Sequence, residues 1–262
     1  TSFGIRYENY NGIEIIYPNL EFSEGSNANG IRENQGYRTQ WTWTNTLNYK
    51  KNFNEEHNLN VLVGTEAIRS RERQLDGGRN GYFILGNLDY YYLNPGTSNI
   101  TNASTGAVGS LFSIFGKADY SFKDRYLLSA TVRRDGSSNF GSENQYGVFP
   151  AGSAAWRLSE EEFMQGAEWL TDLKIRAGYG ITGNQRIPAF QYLDRLQSSL
   201  ASSSYPIHDG SGLITGVRQN AFKNEAVKWE EVNSLNIGLD FTLLNGKFDG
   251  TFDWYNKKTS DM

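Results

Sequence analysis

Two long segments in the middle of the chain alternate between apolar and more polar residues, and this period of two constrains the fold most strongly. The first apolar series comprises Phe112, Ile114, Gly116, Ala118, Tyr120 and Phe122. After a turn at residues 123–124, a second series follows, with Tyr126, Leu128, Ala130 and Val132. Because successive side chains of a strand point to opposite faces, each segment is predicted to be a strand with one apolar face. Each is about ten residues long, the length at which a tilted strand crosses a bilayer.

The same alternation recurs along the chain and predicts about nine strands in an all-β, antiparallel arrangement. The predicted strands are residues 1–10, 37–49, 59–73, 112–122, 126–133, 149–158, 173–182, 235–243 and 248–258. The predicted connections are short near residues 51–58, 123–124, 159–170 and 245–246, and long at residues 11–36, 75–108, 135–148 and 183–230. Short periplasmic turns at one end and long extracellular loops at the other are typical of transmembrane β-barrels.

Nine is an odd count that ends on an outbound strand, so a sheet formed by this chain alone would have a bare edge. In hydrocarbon, each backbone group without a hydrogen-bond partner costs several kcal/mol, so an open sheet is not stable there. We therefore expect this chain to form a portion of a larger barrel. Its first residues lack the charged and then apolar pattern of a signal peptide, so we expect an internal fragment, a processed chain or a cytoplasmic protein.

One short helix is expected at the membrane edge. Ser159 precedes Glu160, Glu161 and Glu162, which is the pattern of a capping box with serine at the N-cap. The residues that would follow in this helix include Phe163, Met164, Ala167 and Trp169.

Composition excludes several classes of protein. No apolar run approaches the roughly 18 residues of a transmembrane helix, so a helical membrane protein is excluded. The absence of cysteine excludes disulfides and zinc–thiolate sites. A net charge of −4 argues against nucleic acid as a partner, because such proteins carry a basic stripe.

No motif in the sequence supports catalysis. The segment Gly178-Tyr179-Gly180-Ile181-Thr182-Gly183 matches G-x-G-x-x-G, but a loop with Pro188 follows it instead of the helix that a dinucleotide site needs. His57 and His208 lie far apart and lack neighbours at metal-ligand spacing. We therefore predict no catalytic residue, no metal site and no cofactor.

Several motifs, taken in order, resemble the SusC/RagA-like TonB-dependent transporters of Gram-negative outer membranes. The resemblance covers residues 109–262 by motif and residues 1–108 by strand layout. The motifs are Arg133-Arg134-Asp135-Gly136-Ser137-Ser138-Asn139-Phe140-Gly141, Phe149-Pro150, Trp156-Arg157-Leu158-Ser159-Glu160-Glu161, Phe163-Met164, Leu173-Lys174-Ile175-Arg176, Gly180-Ile181-Thr182-Gly183-Asn184-Gln185, Trp229-Glu230, Asn236-Ile237-Gly238-Leu239-Asp240-Phe241 and Asp253-Trp254-Tyr255-Asn256-Lys257-Lys258-Thr259-Ser260-Asp261.

This resemblance implies a barrel of about 22 strands plugged by an N-terminal domain. It also implies a multi-pass protein of the outer membrane that imports oligosaccharides or peptides. The implied partners are the inner-membrane TonB complex, which supplies energy, and a SusD-like surface lipoprotein. The plug and the segment that contacts TonB are absent from this sequence, so residues 1–262 are expected to be a partial barrel domain.

Strand parity assigns side chains to the two faces of the predicted wall. Side chains expected to face the lumen are Thr42, Thr44, Lys117, Asp119, Arg133, Lys174, Arg176, Asp240 and Asp249. Side chains expected to face outer-membrane lipid are Phe112, Ile114, Tyr126, Leu128, Leu235, Ile237, Leu239 and Phe241. Arg134 lies an even number of residues after Tyr126 and Leu128 and is therefore predicted to face outward with them. We expect it to reach lipid phosphates, as arginine does near a membrane surface.

Aromatic side chains leave two interpretations open. Those in strands fit either an interfacial girdle or stacking on sugars: Trp41, Trp43, Tyr126, Trp156, Trp254 and Tyr255. Loop residues Tyr90, Tyr91 and Tyr92 have no girdle role and are predicted to contact substrate or the lipoprotein.

Two alternative protein classes remain open. A soluble secreted β-sandwich that binds glycans would have shorter strands and a second sheet over the apolar face. A β-rich hydrolase would need a convergent set of acid, base or nucleophile residues.

Overall fold

The computed structural model describes residues 1–18, 29–83, 92–199, 202–206 and 213–260. Its strands are β1 (Ser2–Ile16), β2 (Gly30–Phe53), β3 (His57–Asn80), β4 (Ser98–Phe122), β5 (Tyr126–Ser137), β6 (Tyr146–Arg157), β7 (Leu170–Asn184), β8 (Arg195–Gln197), β9 (Ser204–Pro206), β10 (Leu213–Thr215), β11 (Arg218–Ala221), β12 (Glu230–Leu243) and β13 (Phe248–Ser260). No helix in these described ranges is long and apolar enough to span a membrane.

Nine of the described strands form one sheet in the order β1-β2-β3-β4-β5-β6-β7-β12-β13. Neighbours in this sheet follow one another along the chain, except that β12 comes next to β7 after the segment that contains β8 to β11. Those four short strands form two separate pairs, β8 with β11 and β9 with β10. The predicted antiparallel sheet of nine strands is therefore confirmed, and the sheet of this chain is open.

The first strands are much longer than predicted. β2 and β3 each contain 24 residues and β4 contains 25. They extend, together with β1, through residues 11–16, 30–36, 75–80 and 98–108, which were predicted to belong to loops. For these residues the loop predictions are wrong, and the reason is physical. Backbone groups that pair with a neighbouring strand are satisfied whatever the side chain, so tertiary context outweighs a weak intrinsic preference.

The chain divides into two compact units, of which the first comprises residues 2–43 and 68–110. Its buried residues are Ile31 and Tyr82, with Ile15 and Leu93 packed against them. The Asn29 side-chain carbonyl accepts the backbone N–H groups of Gly81 and Tyr82, at 3.1 and 2.9 Å. These bonds fix the chain where β3 ends, so the end of this unit is held by its own small core.

The second unit comprises residue 1 and residues 44–67 and 111–262. Phe140, Phe149 and Trp229 form its buried aromatic cluster, with the Phe140 and Trp229 rings 4.9 Å apart. The Trp229 indole N–H donates to the carbonyl of Gln145 at 3.3 Å. The cluster thereby joins the connection between β5 and β6 to the end of the long connection before β12.

The short connections contain consecutive residues in the left-handed backbone region. Lys123 and Asp124 have φ values of 50° and 52° between β4 and β5. Leu244, Asn245 and Gly246 have φ values of 53°, 57° and 84° between β12 and β13. The predicted turn at residues 245–246 is therefore present, within a four-residue connection, and glycine adopts its last left-handed conformation without a Cβ penalty.

The predicted single helix after Ser159 is not present. Residues Leu158–Glu160 and Glu162–Met164 form two single turns of 3₁₀ helix, and neither has a side-chain cap. The Ser159 hydroxyl donates instead to the Asp172 carboxylate at 2.8 Å. The serine of the predicted capping box thus bonds to a residue of β7 and not to the backbone of its own turn, which explains why the local motif did not produce a helix.

Glu161 ties this connection to two aromatic residues. Its carboxylate accepts the Tyr126 hydroxyl at 2.6 Å and the Trp156 indole N–H at 3.0 Å, and Arg125 lies 3.4 Å away. The hydrogen bonds from Tyr126 and Trp156, with the charge of Arg125, hold the pKa of the Glu161 carboxyl below its usual value.

We expect Gly246→Val to lower the free energy of unfolding by about 1–3 kcal/mol, because a β-branched residue is strained at positive φ. The matched control is Gly4→Val in β1, where an added Cβ meets no atom within 4 Å. Its expected change is within about 0.5 kcal/mol. Denaturant unfolding followed by tryptophan fluorescence measures both, and equal effects would contradict the assignment of strain to the turn.

Glu161 is also expected to make stability depend on pH. Because its folded pKa is lowered, its contribution is complete above the unperturbed value of about 4.3 and is lost as the pH falls through the folded pKa. Glu161→Gln should therefore lower the thermal midpoint at pH 7 and have little effect at pH 3. Glu162→Gln, an exposed neighbour, is the control and should not show this difference between the two pH values.

Candidate functional site

Strand register places the eight apolar side chains that were predicted to face lipid on one face of the sheet. Directly opposed residues of an antiparallel pair share a face. On this basis Leu235 shares a face with Tyr179, and Leu128 with Ala154. Continuing across the second unit, the same face carries Phe112, Ile114, Tyr126, Leu128, Leu235, Ile237, Leu239 and Phe241. We call it the apolar face.

The apolar face is open. Leu128, Ile114 and Ile237 are 52%, 49% and 44% exposed. Besides the main sheet, the described part of the chain forms only two sheets of two short strands each. A continuous apolar surface of this extent marks contact with another apolar phase or partner.

An aromatic row lies on the apolar face beside the short connections. The rings of Phe122, Tyr126 and Trp156 stack in sequence, with centroids 6.2 Å apart in each pair. Trp254 belongs to the same face, since it opposes Ile237. Tyr255 does not, because alternation turns it to the other side, and so it cannot belong to a girdle on this face.

Register places the predicted inward residues of the second unit on the opposite, polar face. These are Lys117, Asp119, Arg133, Lys174, Arg176, Asp240 and Asp249. Thr44 is linked to this set through Glu66. Its hydroxyl donates to the Glu66 carboxylate at 3.3 Å, and Glu66 pairs with Arg133 at 3.0 Å. Thr42 lies two residues earlier in β2 and therefore on the same side of that strand.

Four charged residues form a ladder on the polar face across β7, β12 and β13. Asp240 accepts Lys174 Nζ at 2.8 Å and Arg176 Nε at 3.2 Å. Arg176 also pairs with Asp253 at 2.7 Å. The guanidinium lies over Gly238, where an added Cβ would come within 2.4 Å of its Cζ atom. Glycine at this position therefore leaves the space through which Arg176 reaches both carboxylates.

A second charged cluster surrounds Arg133. Its guanidinium donates to Asp135 at 2.7 Å, to Glu66 at 3.0 Å and to the buried hydroxyl of Ser113 at 2.8 Å. Nearby, Asp119 accepts Lys117, Ser129 and Asn60 at 2.9, 2.7 and 3.3 Å.

Most of these charges on the polar face are thus paired, either across strands, as in Arg176–Asp240, or within one strand, as in Lys117–Asp119. A surface of paired charges is hydrophilic, and its carboxylates are engaged by cations and hydroxyls. Among the described residues, no three His, Asp or Glu side chains are grouped so that they could hold a metal ion. His57 contacts the Tyr120 hydroxyl at 2.7 Å and the Phe122 ring, which is a structural role, and His208 lies outside the described residues.

The first unit contains a separate groove of about 680 Å³. Tyr92 lines it and is 63% exposed. Tyr90 and Tyr91 lie outside the described residues. The groove is also lined by five amide residues and three charged residues, namely Asn9, Asn11, Asn34, Gln35, Asn102, Glu33, Asp76 and Arg79. Amides beside an exposed aromatic ring can hydrogen-bond and pack against sugars or peptides.

Sequence reasoning missed these amides, as well as Glu66 and Asp253. The amides lie in or beside segments rich in Asn and Gly, which composition marked only as loops. Glu66 and Asp253 are partners of Arg133 and Arg176 through cross-strand register, and one strand alone carries no signal for such a partner.

We expect Asp240→Asn to lower the free energy of unfolding by about 1–2 kcal/mol, because Lys174 and Arg176 then lose a shared carboxylate. Asp249→Asn is the control on the same face, since Asp249 is exposed and forms no ion pair with a described residue. Its change should stay within about 0.5 kcal/mol. Denaturant unfolding in detergent solution measures both, and an Asp240 effect no larger than the control would refute the ladder's role.

Solved structures share this fold. A structure of the RagAB peptide transporter superposes with a TM-score of 0.82 at 24% identity, covering 99% of this chain and 28% of that chain. The RagAB peptide importer in its open-open state superposes with a TM-score of 0.81, also at 24% identity, covering 99% of this chain and 27% of that one. At this identity the likeness concerns the fold alone.

Curated proteins are similar in sequence. TonB-dependent receptor SusC of Bacteroides thetaiotaomicron is 36% identical over 208 residues, which is 79% of this chain and 20% of that protein. TonB-dependent receptor P26 of Formosa agariphila is 33% identical over 253 residues, or 94% of this chain and 24% of that protein. The chain thus spans between a fifth and a quarter of the length of these relatives.

The match to a family model is complete. The model described as "TonB dependent receptor-like, beta-barrel" covers residues 1–262. The order of the sheet, its two chemically different faces and the similar receptors all agree with that match. The chain belongs to the TonB-dependent receptor-like β-barrel family.

Proposed function

We propose that this chain forms part of the wall of a TonB-dependent nutrient transporter in the outer membrane of a Gram-negative bacterium. The observation that carries the proposal is the division of one long-stranded sheet into an exposed apolar face and a face of paired charges. In a barrel wall the apolar face contacts acyl chains and the polar face lines an aqueous or plug-filled lumen.

The polar face suits a hydrophilic cargo without strong charge selection. Lys174, Arg176, Asp240 and Asp253 pair with one another, so the surface has hydrogen-bonding capacity but little net field. Oligosaccharides and peptides are cargoes of this kind. Lumen-facing positions for the predicted set and lipid-facing positions for the apolar set are therefore part of this proposal.

We infer that residues 1–262 are one section of a longer barrel. Support comes from the relatives, of which this chain spans a fifth to a quarter. A plug domain and the segment that contacts the TonB complex would then belong to other parts of the transporter. Closure to about 22 strands is the arrangement that the family resemblance implies.

The groove at Tyr92 is proposed to contact cargo or a surface lipoprotein of the SusD type. The exposed ring and the surrounding amides offer the stacking surface and hydrogen-bond groups that sugars and peptides use. Tyr90 and Tyr91, next to it in sequence, complete the proposed aromatic set. The solved neighbours described as RagAB peptide transporters or importers make peptides a reasonable cargo class to test.

The alternative classes are less well supported. A secreted glycan-binding β-sandwich would bury the apolar face beneath a second sheet, whereas Leu128, Ile114 and Ile237 on this face are exposed. The matched family is a receptor family and not an enzyme family, which disfavours a hydrolase.

The proposal predicts that the natural protein carrying this chain sediments with outer membranes and is released only by detergent. An affinity-tagged form should copurify a lipid-modified surface protein in roughly equal amount. Cell fractionation followed by mass spectrometry of the purified material tests both points. Recovery of the intact protein in aqueous buffer without detergent would overturn the transporter assignment, and purification without any lipoprotein would remove the proposed partner.

A further inference from the structure

Arg134 is a cation on the apolar face. Its directly opposed neighbours are Ile114 in β4 and Val148 in β6. The guanidinium lies over the Tyr146 ring, 4.1 Å from its centroid, and the side chain is exposed. No acidic residue in the described part of the chain pairs with it. An unpaired guanidinium held against a ring on an apolar surface is available to an anion from outside the protein.

The position of Arg134 along β5 corresponds to a membrane surface. Tyr126, in the aromatic row beside the short connections, lies eight residues earlier in the same strand. Eight residues span about 27 Å along a strand, and about 20 Å along the axis at a tilt of about 40°. The apolar band of a barrel is about 25 Å high. Arg134 and Tyr146 therefore lie near the opposite margin of that band, at the level of lipid headgroups.

An apolar groove of about 620 Å³ runs up to Arg134. Gly116 contributes no side chain to its floor, and an added Cβ there would meet no atom closer than 3.8 Å. The walls are exposed aliphatic side chains, namely Leu47, Val63, Ile114 and Val132. The groove thus has the volume and the apolar lining to accept an alkyl chain, and Arg134 is among its lining residues.

We propose that Arg134 and this groove bind one phosphorylated lipid of the outer leaflet. The guanidinium pairs with the phosphate through its planar set of N–H donors, and Tyr146 holds it in that orientation. One acyl chain of the same lipid lies in the groove over Gly116. The occupant is identified by complementarity at both ends, an anion for the unpaired cation and an alkyl chain for the aliphatic walls. This site rests on the proposed membrane location of the chain.

Lipid titration of the purified transporter carrying this chain tests the site. The protein is stripped of lipid in nonionic detergent and titrated with diphosphorylated lipid A or with its dephosphorylated form, and bound lipid is counted by native mass spectrometry. Arg134→Gln removes the cation. Gly116→Leu fills the groove at a position where an added Cβ meets its nearest atoms only at ordinary van der Waals distances of 3.8 and 3.9 Å. Arg218→Gln removes an exposed arginine of a loop strand and is the matched control.

The parent protein and Arg134→Gln should differ about tenfold in affinity for phosphorylated lipid A, the size expected for one charge-assisted hydrogen-bonded contact. They should bind the dephosphorylated form equally. Gly116→Leu should weaken binding of both forms, and Arg218→Gln of neither. Equal binding of phosphorylated lipid A by the parent and Arg134→Gln would overturn the site. If the protein also proved extractable without detergent, the proposed function would fail as well, whereas a detergent-dependent protein would lose only this site.

Discussion

The pairing of backbone groups between neighbouring strands is the interaction on which the rest of this structure depends. Register in β4 to β7, β12 and β13 sets which side chains are opposed, and a shift of one residue would exchange the two faces. The same pairing satisfies N–H and C=O groups without water, which is the condition for a sheet in hydrocarbon. Apolar and charged residues can then occupy opposite sides of one layer.

Side-chain contacts on the polar face reinforce this register. Arg176 lies on β7 and binds carboxylates from β12 and β13, so its ion pairs join three strands. Arg133 similarly joins its own strand to Glu66 in β3 and Ser113 in β4. Each guanidinium has several partners, which compensates for its partial removal from water. A slipped strand would break these contacts together, so the charged clusters favour one register over its neighbours.

The local alternation was sufficient to predict the sheet of nine strands, but not the short strands β8 to β11, and it grouped the side chains of one strand by face. Leu235 and Ile237 illustrate this, because period two is a property of the strand itself and needs no knowledge of its neighbours. Strand ends were predicted less well. Residues 30–36 look like a loop by composition, yet they belong to β2 because the ladder satisfies their backbone. The Ser159 capping motif failed for a related reason, since Asp172 in β7 binds its hydroxyl.

What the sequence alone determined is therefore the two-faced character of the wall, the positions of its short connections and, through its motifs, the family resemblance. Only the tertiary structure decided which charges pair and how far the strands extend. It also decided that the Arg134 guanidinium lies over the Tyr146 ring, beside the groove at Gly116. These features join residues that are distant along the chain. Their contacts depend on the register between strands, and that register arises from the whole sheet and not from any one segment.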